Sequence, residues 1–253
     1  LLGSINLAKL IKQPFEVDAH IDLKELSELV RTSVRMLDNV IDISRFPLPA
    51  QKEEAQKKRR IGLGVTGLAD ALIMCGVRYG SSEAVDLTDT WMKKLRNTAY
   101  RESSQLAKEK GAFQLFDAEA YMKSPNIKML PEDIQKDIKE FGIRNALLTS
   151  IAPTGTISLL ADNVSSGVEP VFAFNYERTV LRPDGSKSIE PVHDYAYQIY
   201  LNLKGDIKSL PGAFVSAHSL RPEDHLVMQS TVQKYIDSSI SKTINCPENI
   251  LFE

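Results

Sequence analysis

Cysteine is almost missing from this 253-residue chain. The two present, Cys75 and Cys246, lie far apart, with neither the CxxC spacing of a redox pair or zinc knuckle nor the density of a secreted disulfide scaffold. A reducing, cytoplasmic setting is expected. Histidine is sparse too: His20, His193, His218 and His225 show no HxxxH-type spacing, and no carboxylate stands at a telling interval from them, so no metal site is expected. An excess of either charge is also lacking. Lys plus Arg number 31 against 33 Asp plus Glu, which speaks against the basic field of a protein that wraps nucleic acid. Apolar runs such as residues 146–148 and 159–161 fall far below the ~20 residues that a membrane-spanning helix needs. No charged leader precedes an apolar core, so a soluble protein is expected. Repeats, low-complexity tracts and Ser/Gly linkers are absent as well, and residues 1–253 read as a single unit. The chain opens on Leu1, not Met, directly in apolar sequence, and reads as a piece of something longer.

What is present has ordinary globular balance: 43% hydrophobic and 25% charged residues allow a sizeable core. Asp22, with Glu25 three positions on, resembles a capping box. Leu23, Leu26, Leu29, Val30, Val34, Leu37, Val40 and Ile41 then recur at helical spacing until Pro47. The mixed-sign stretch QKEEAQKKRR reads as a short exposed helix or connector. A short buried strand is expected at 61–65, a helix at 68–74, and a long helix from 81 to 111 with Ala84, Leu87, Trp91, Leu95, Ala99 and Leu106 on one face. Shorter helices broken by Pro125 and Pro131 follow, then a buried strand at 145–151. An aromatic, partly alternating strand is expected at 171–180, turn residues at 183–185, and final helices at 191–203 and 222–241, the second with Leu226, Val232, Tyr235, Ile236 and Ile240 inward. Strands alternating with helices point to an α/β architecture.

Two glycine motifs compete for chemistry. Gly62, Gly64 and Gly67 spell GxGxxG, but KKRR precedes them and Asp86 lies inside a helical pattern. The context of a dinucleotide fingerprint is therefore wanting, and the glycines read better as close packing of a strand on a helix. The segment NALLTSIAPTGTISLLAD says more. A buried strand ends at Ile151, Pro153 and Gly155 shape a turn, Thr154, Thr156 and Ser158 bring hydroxyls, and a helix begins. Backbone N–H groups at a helix start form a site for phosphate or carboxylate. No Lys follows the glycine, so this is not an ATP-hydrolysing loop. On local sequence alone, Thr154 or Thr156 could equally serve as a helix cap. Glu169, in SSGVEP, reads as a buried carboxylate held by backbone N–H groups in a structural role. Cys75 reads as a core residue, and nothing near Cys246 would stabilise its thiolate.

Taken in order, LGSINLAKL, LDNVIDISRFPLP, RRIGLGVTGLADAL, IAPTGTISLLADNVSSGVEP and SISKTIN resemble the second half of the catalytic barrel of ribonucleotide reductase large subunits, over residues 2–245. The blocks look most like the adenosylcobalamin-dependent class II enzymes; class I enzymes share the framework. The resemblance implies an α/β fold, roughly the second half of a ten-stranded α/β barrel. It implies reduction of ribonucleotides to deoxyribonucleotides by thiyl-radical chemistry, with adenosylcobalamin as cofactor. The implied partners are a ribonucleoside di- or triphosphate, the upstream half of the barrel and a thiol reductant such as thioredoxin. It implies that Pro153, Thr154, Gly155, Thr156, Ile157 and Ser158 bind the substrate's phosphates. In the family the radical cysteine, its glutamate and asparagine partners and the reducing cysteines precede the LGSIN block. No catalytic residue is therefore expected in this chain, and it is expected to be inactive alone. Leu1 stands where the family has Asn. The alternative from another class is a non-catalytic nucleotide-binding or assembly fragment of a split or truncated reductase.

Overall fold

The computed structural model describes residues 1–205, 209–246 and 248–250. Strand β1 (Leu2–Asn6) leads through the short pair β2 (Ile11–Lys12) and β3 (His20–Ile21) into helix α1 (Leu23–Ile43). Asp22 caps α1, its carboxylate accepting from the Lys24 and Glu25 amides. Leu26, Val30, Val34, Leu37 and Ile41 are buried at helical spacing, while Leu29 lies at the surface beside that stripe. Helix α2 (Pro49–Lys58) buries nothing, as its mixed charges foretell. Strand β4 (Gly62–Thr66) is buried throughout and turns at Gly67 into α3 (Leu68–Met74).

Helix α4 (Ser82–Lys110) is capped by Ser81 and stopped at Gly111, with Trp91, Leu95, Ala99 and Leu106 in the core. The small helices α5 (Ala118–Met122), α6 (Pro125–Lys128) and α7 (Glu132–Phe141) follow, α7 packing on α4 and α5 on α6 and α7, before α8 (Gly155–Leu160). An antiparallel hairpin of β5 (Asn175–Leu181) and β6 (Lys187–His193) then precedes α9 (Tyr195–Lys204) and α10 (Pro222–Gln233).

Four extended segments lie side by side and parallel. β1 pairs with β4 from Leu2↔Gly62 to Asn6↔Thr66. Residues 147–151 take the next place, with the Leu63 amide donating to the Leu148 carbonyl at 2.8 Å and a parallel bridge from Leu63 to Thr149. Residues 238–241 take the fourth, through the Ile151 and Ser241 amides at 3.0 and 2.9 Å. The helices between successive segments are the crossovers that parallel pairing requires. This is the expected α/β arrangement, and among the described residues the sheet is open and does not close into a barrel. The GxGxxG glycines do pack closely: a Cβ on Gly64 would lie 2.1 Å from the Ser150 carbonyl oxygen, and one on Gly62 would lie 2.3 Å from the Ser150 hydroxyl.

Three expectations need correction. The strand expected at 171–180 starts at Asn175, and its partner β6 occupies residues assigned above to a helix beginning at Pro191. Pro191 sits opposite Glu177 in an exposed two-stranded ribbon, where a missing N–H is tolerated. The helix expected over 222–241 ends at Gln233. Beyond it Asp237 accepts from the Leu148 and Thr149 amides at 2.8 and 2.9 Å, drawing the chain into the sheet. Leu226 is exposed, because α10 is rotated so that Asp224 reaches Arg78 and His225 reaches Lys242.

Candidate functional site

The strand of residues 147–151 delivers the chain into the 153–158 turn. Thr154 adopts a left-handed conformation, φ 53°, and is buried. Its hydroxyl does not cap α8. It turns inward instead, accepting from the Gly167 amide at 2.6 Å and lying 3.1 Å from the Thr66 hydroxyl. Pro153, Gly155, Thr156 and Ile157 are exposed. Ser158 is buried, its hydroxyl donating to the Gly155 carbonyl at 3.1 Å and lying 3.1 Å from the Ser166 hydroxyl. The Ser158 amide makes the first helical bond of α8, to Thr154 at 2.8 Å. The amides of Gly155, Thr156 and Ile157 precede it and have no acceptor within the helix.

Beside this turn is a cavity of about 360 Å³, walled by Gly155 and Ser158, by residues 163–166 and 169–173, and by Thr243 and Asn245. Its volume lies in the range of small-molecule sites. Glu169 is on its wall, held by one backbone amide, from Thr243 at 2.6 Å, and by the Lys242 ammonium at 2.7 Å. The same ammonium lies 2.8 Å from His225 Nδ1 and donates to the Thr243 carbonyl at 2.6 Å. Burial lowers the Lys242 pKa despite Glu169. Burial, then the Lys242 charge, lower that of His225 against the Ala217 carbonyl and the Glu169 and Asp224 carboxylates.

A second buried group adjoins the cavity loop, and one of its members, Asp194, lines the cavity. Asp70 accepts from the Ser165 amide at 2.6 Å and the Ala196 amide at 2.9 Å, and Asp194 caps α9 by accepting from the Tyr197 amide. Desolvation raises the pKa of both carboxyls, and the charge of Asp70 adds to the rise at Asp194. Sequence reasoning missed Asp70, Asp194, His225 and Lys242 as members of one site. The one available signal was that Asp70 and Lys242 fall inside the blocks RRIGLGVTGLADAL and SISKTIN.

Neither cysteine lines the cavity. Cys75, at the end of α3, has its thiol pKa pushed up to about 11 by burial; Cys246 is exposed. Among the described residues, no group of three or more His, Cys, Asp or Glu side chains is placed to hold a metal ion, and no helix is long and apolar enough to cross a membrane.

A family model described as the ribonucleotide reductase barrel domain matches residues 1–253. The vitamin B12-dependent ribonucleoside-diphosphate reductase of Mycobacterium tuberculosis strain CDC 1551 is 36% identical over 265 residues, which cover 97% of this chain and 35% of that protein. The protein of the same name from Thermoplasma acidophilum is 35% identical, over 96% of the chain and 31% of its own length. The ribonucleoside-diphosphate reductase subunit alpha of Chlamydia pneumoniae is 27% identical, over 98% and 27%. The chain therefore spans roughly a third of the length of the relatives it matches.

Proposed function

This chain belongs to the ribonucleotide reductase barrel family, and from that premise we propose that it supplies part of the catalytic barrel of an enzyme that reduces ribonucleotides to deoxyribonucleotides, with residues 153–158 gripping the substrate's phosphates. The observation that carries the reading is the turn itself. Three amides at the start of α8 lack helical acceptors and belong to exposed residues, and Gly155 lines a cavity of about 360 Å³. Amides in that position attract phosphate oxygens. Thr156 is exposed and free to add its hydroxyl, whereas Thr154 acts by fixing the turn from behind. A ribonucleoside diphosphate is the substrate that the relatives' names favour over a triphosphate.

With no cysteine on the cavity wall, the thiyl radical and the reducing thiols are assigned to other parts of the enzyme, which also include the remaining barrel strands. The same placement supports a second reading, nucleotide binding without catalysis. A thiol reductant such as thioredoxin is the proposed electron source, and the setting is cytoplasmic. Adenosylcobalamin is the proposed cofactor, because the relatives at 35–36% identity are named for vitamin B12. When bound it supplies the radical. The cavity is of nucleotide size and would not enclose a corrin ring.

Gly155→Asp separates the phosphate reading from a structural role. A Cβ on Gly155 meets nothing within 4 Å, so the side chain fits. An acidic group at a helix start is stabilising by roughly 0.3–1 kcal/mol, yet here it occupies the phosphate position. The expected result is an unchanged or slightly raised melting temperature with CDP binding weakened about tenfold or more by calorimetry, a loss of about 1.4 kcal/mol. Binding of cytidine, which has no phosphate, should change little. Equal losses for CDP and cytidine would remove the phosphate assignment. Turnover by the chain when it is combined with the remaining barrel, adenosylcobalamin and a dithiol separates the catalytic reading from the non-catalytic one.

A further inference from the structure

The Lys242 side chain is 1% exposed, yet it sits one shell behind a cavity that its partners Glu169 and His225 line. A lysine ammonium has three hydrogens and no lone pair. Here all three are used: one on Glu169 Oε2, one on the Thr243 carbonyl, one on His225 Nδ1. With Lys242 charged, His225 Nδ1 accepts, which places the ring proton of the neutral imidazole on Nε2, a buried nitrogen without a hydrogen-bond partner among the described residues. Tyr79 lies near the ring, 6.3 Å away between centroids and tilted by 60°, and its hydroxyl donates to the Val168 carbonyl at 2.6 Å. Glu169 completes the closure, its second oxygen accepting from the Thr243 amide at 2.6 Å. One cation thus joins three separate pieces of chain: the loop before β5, the helix α10, and the segment after the fourth sheet position.

From this geometry, and resting on the nucleotide reading above, we infer that Lys242 is a positioning residue for the nucleotide cavity, fixing the tautomer of His225 and the carboxylate of Glu169 so that Thr243 and Asn245 face the start of α8 across the cavity. Without the ammonium, the Glu169 carboxylate loses its cation and the 243–245 segment loses one of its two ties to the opposite wall. The other tie, from the Thr243 amide to Glu169, depends on the same carboxylate. The cavity then loses its shape at the end away from the phosphate turn. This differs from a role in stability alone, because the cluster joins the cavity walls and does not fill the core.

The test uses the chain labelled with ¹⁵N-histidine and the variants Lys242→Met, Lys242→Arg and Glu169→Gln. In the wild-type chain the ¹⁵N spectrum should show His225 neutral with its proton on Nε2. In Lys242→Met that fixed tautomer should give way to a mixture, and CDP affinity should fall about tenfold. Lys242→Arg restores the charge without the three-way geometry and should recover only part of the affinity. If Lys242→Met does not fold, Glu169→Gln carries the measurement, since it keeps the side-chain shape while removing the charge that Lys242 and the Thr243 amide share; the same loss of CDP affinity is expected. A folded Lys242→Met or Glu169→Gln chain with wild-type CDP affinity overturns the positioning role, as does a wild-type His225 protonated on Nδ1. A wild-type chain with the expected tautomer that binds no CDP overturns the nucleotide reading, and the positioning role with it, while leaving the cluster's geometry intact.

Discussion

Thr154 and Thr156 are two residues apart, carry the same hydroxyl, and do different work. The Thr154 oxygen is the acceptor for the Gly167 amide and a neighbour of the Thr66 hydroxyl, in a place closed to solvent. Replacing it with valine keeps the volume but leaves the buried Gly167 amide only its longer bond, 3.3 Å, to the Thr66 hydroxyl, which costs roughly 1–3 kcal/mol. Thr154→Val should therefore lower stability by that order in urea titrations, whereas Thr156→Val, at an exposed position, should leave stability within about 0.5 kcal/mol. Equal effects of the two substitutions on the denaturation midpoint would contradict the inward role of Thr154. The Thr154 hydroxyl is thus turned inward, and Thr156 lies at the surface. A left-handed residue, φ 53°, stands at the head of the turn with its hydroxyl turned inward to the Gly167 amide.

At the level of elements, Asp194 and Asp70 join pieces far apart in the chain: α3, the cavity loop at Ser165, and the start of α9. Both carboxyls have pKa values raised by burial, and that of Asp194 is raised further by the charge of Asp70. The sign follows from proton counting. A carboxyl whose folded pKa lies above its ordinary 3.8 binds more protons in the folded state than in the unfolded one. Its contribution to stability is then greatest below 3.8 and is lost as pH rises through the folded value. Asp194→Asn mimics the protonated form and can still accept from the Tyr197 amide as a helix cap. The variant should match the wild type in melting temperature at low pH and exceed it at neutral pH, flattening the pH dependence above 3.8. A wild type more stable than Asp194→Asn at neutral pH would show that the carboxylate is paired more favourably than its burial suggests.

On the scale of the whole molecule, four parallel segments form an open wall with β1 at one side and residues 238–241 at the other. Among the described residues the outer side of each lacks a strand partner, and Leu1 and Leu2 are exposed at the β1 edge. Unpaired edges of this kind are templates for pairing with another chain. The chain on its own is expected to self-associate as concentration rises, with light scattering showing species above 28.2 kDa. Addition of the complementary barrel strands should reverse this. A monodisperse 28.2 kDa particle at high concentration, unaffected by such strands, would argue against an edge that needs a partner.

Wherever a single period or a local cap decided the outcome, the sequence by itself determined the structure. The stripe from Leu26 to Ile41, the Ser81-to-Gly111 helix and the glycines of β4 could be placed because burial at one spacing and the lack of a Cβ are properties of a few neighbouring residues. The ordered motif blocks were enough to mark the family and to draw attention to residues 153–158. Tertiary structure alone decided which side chains of that turn face outward, because the direction of Thr154 depends on the Gly167 amide and on Thr66, 88 positions away. It also decided that α10 stops at Gln233 so that Asp237 can take the Leu148 and Thr149 amides, 89 and 88 residues distant. The Glu169, His225 and Lys242 cluster was illegible for the same physical reason. Its members lie 17 and 73 residues from Lys242 in sequence, and only the folding of the parallel sheet puts three acceptors around one ammonium.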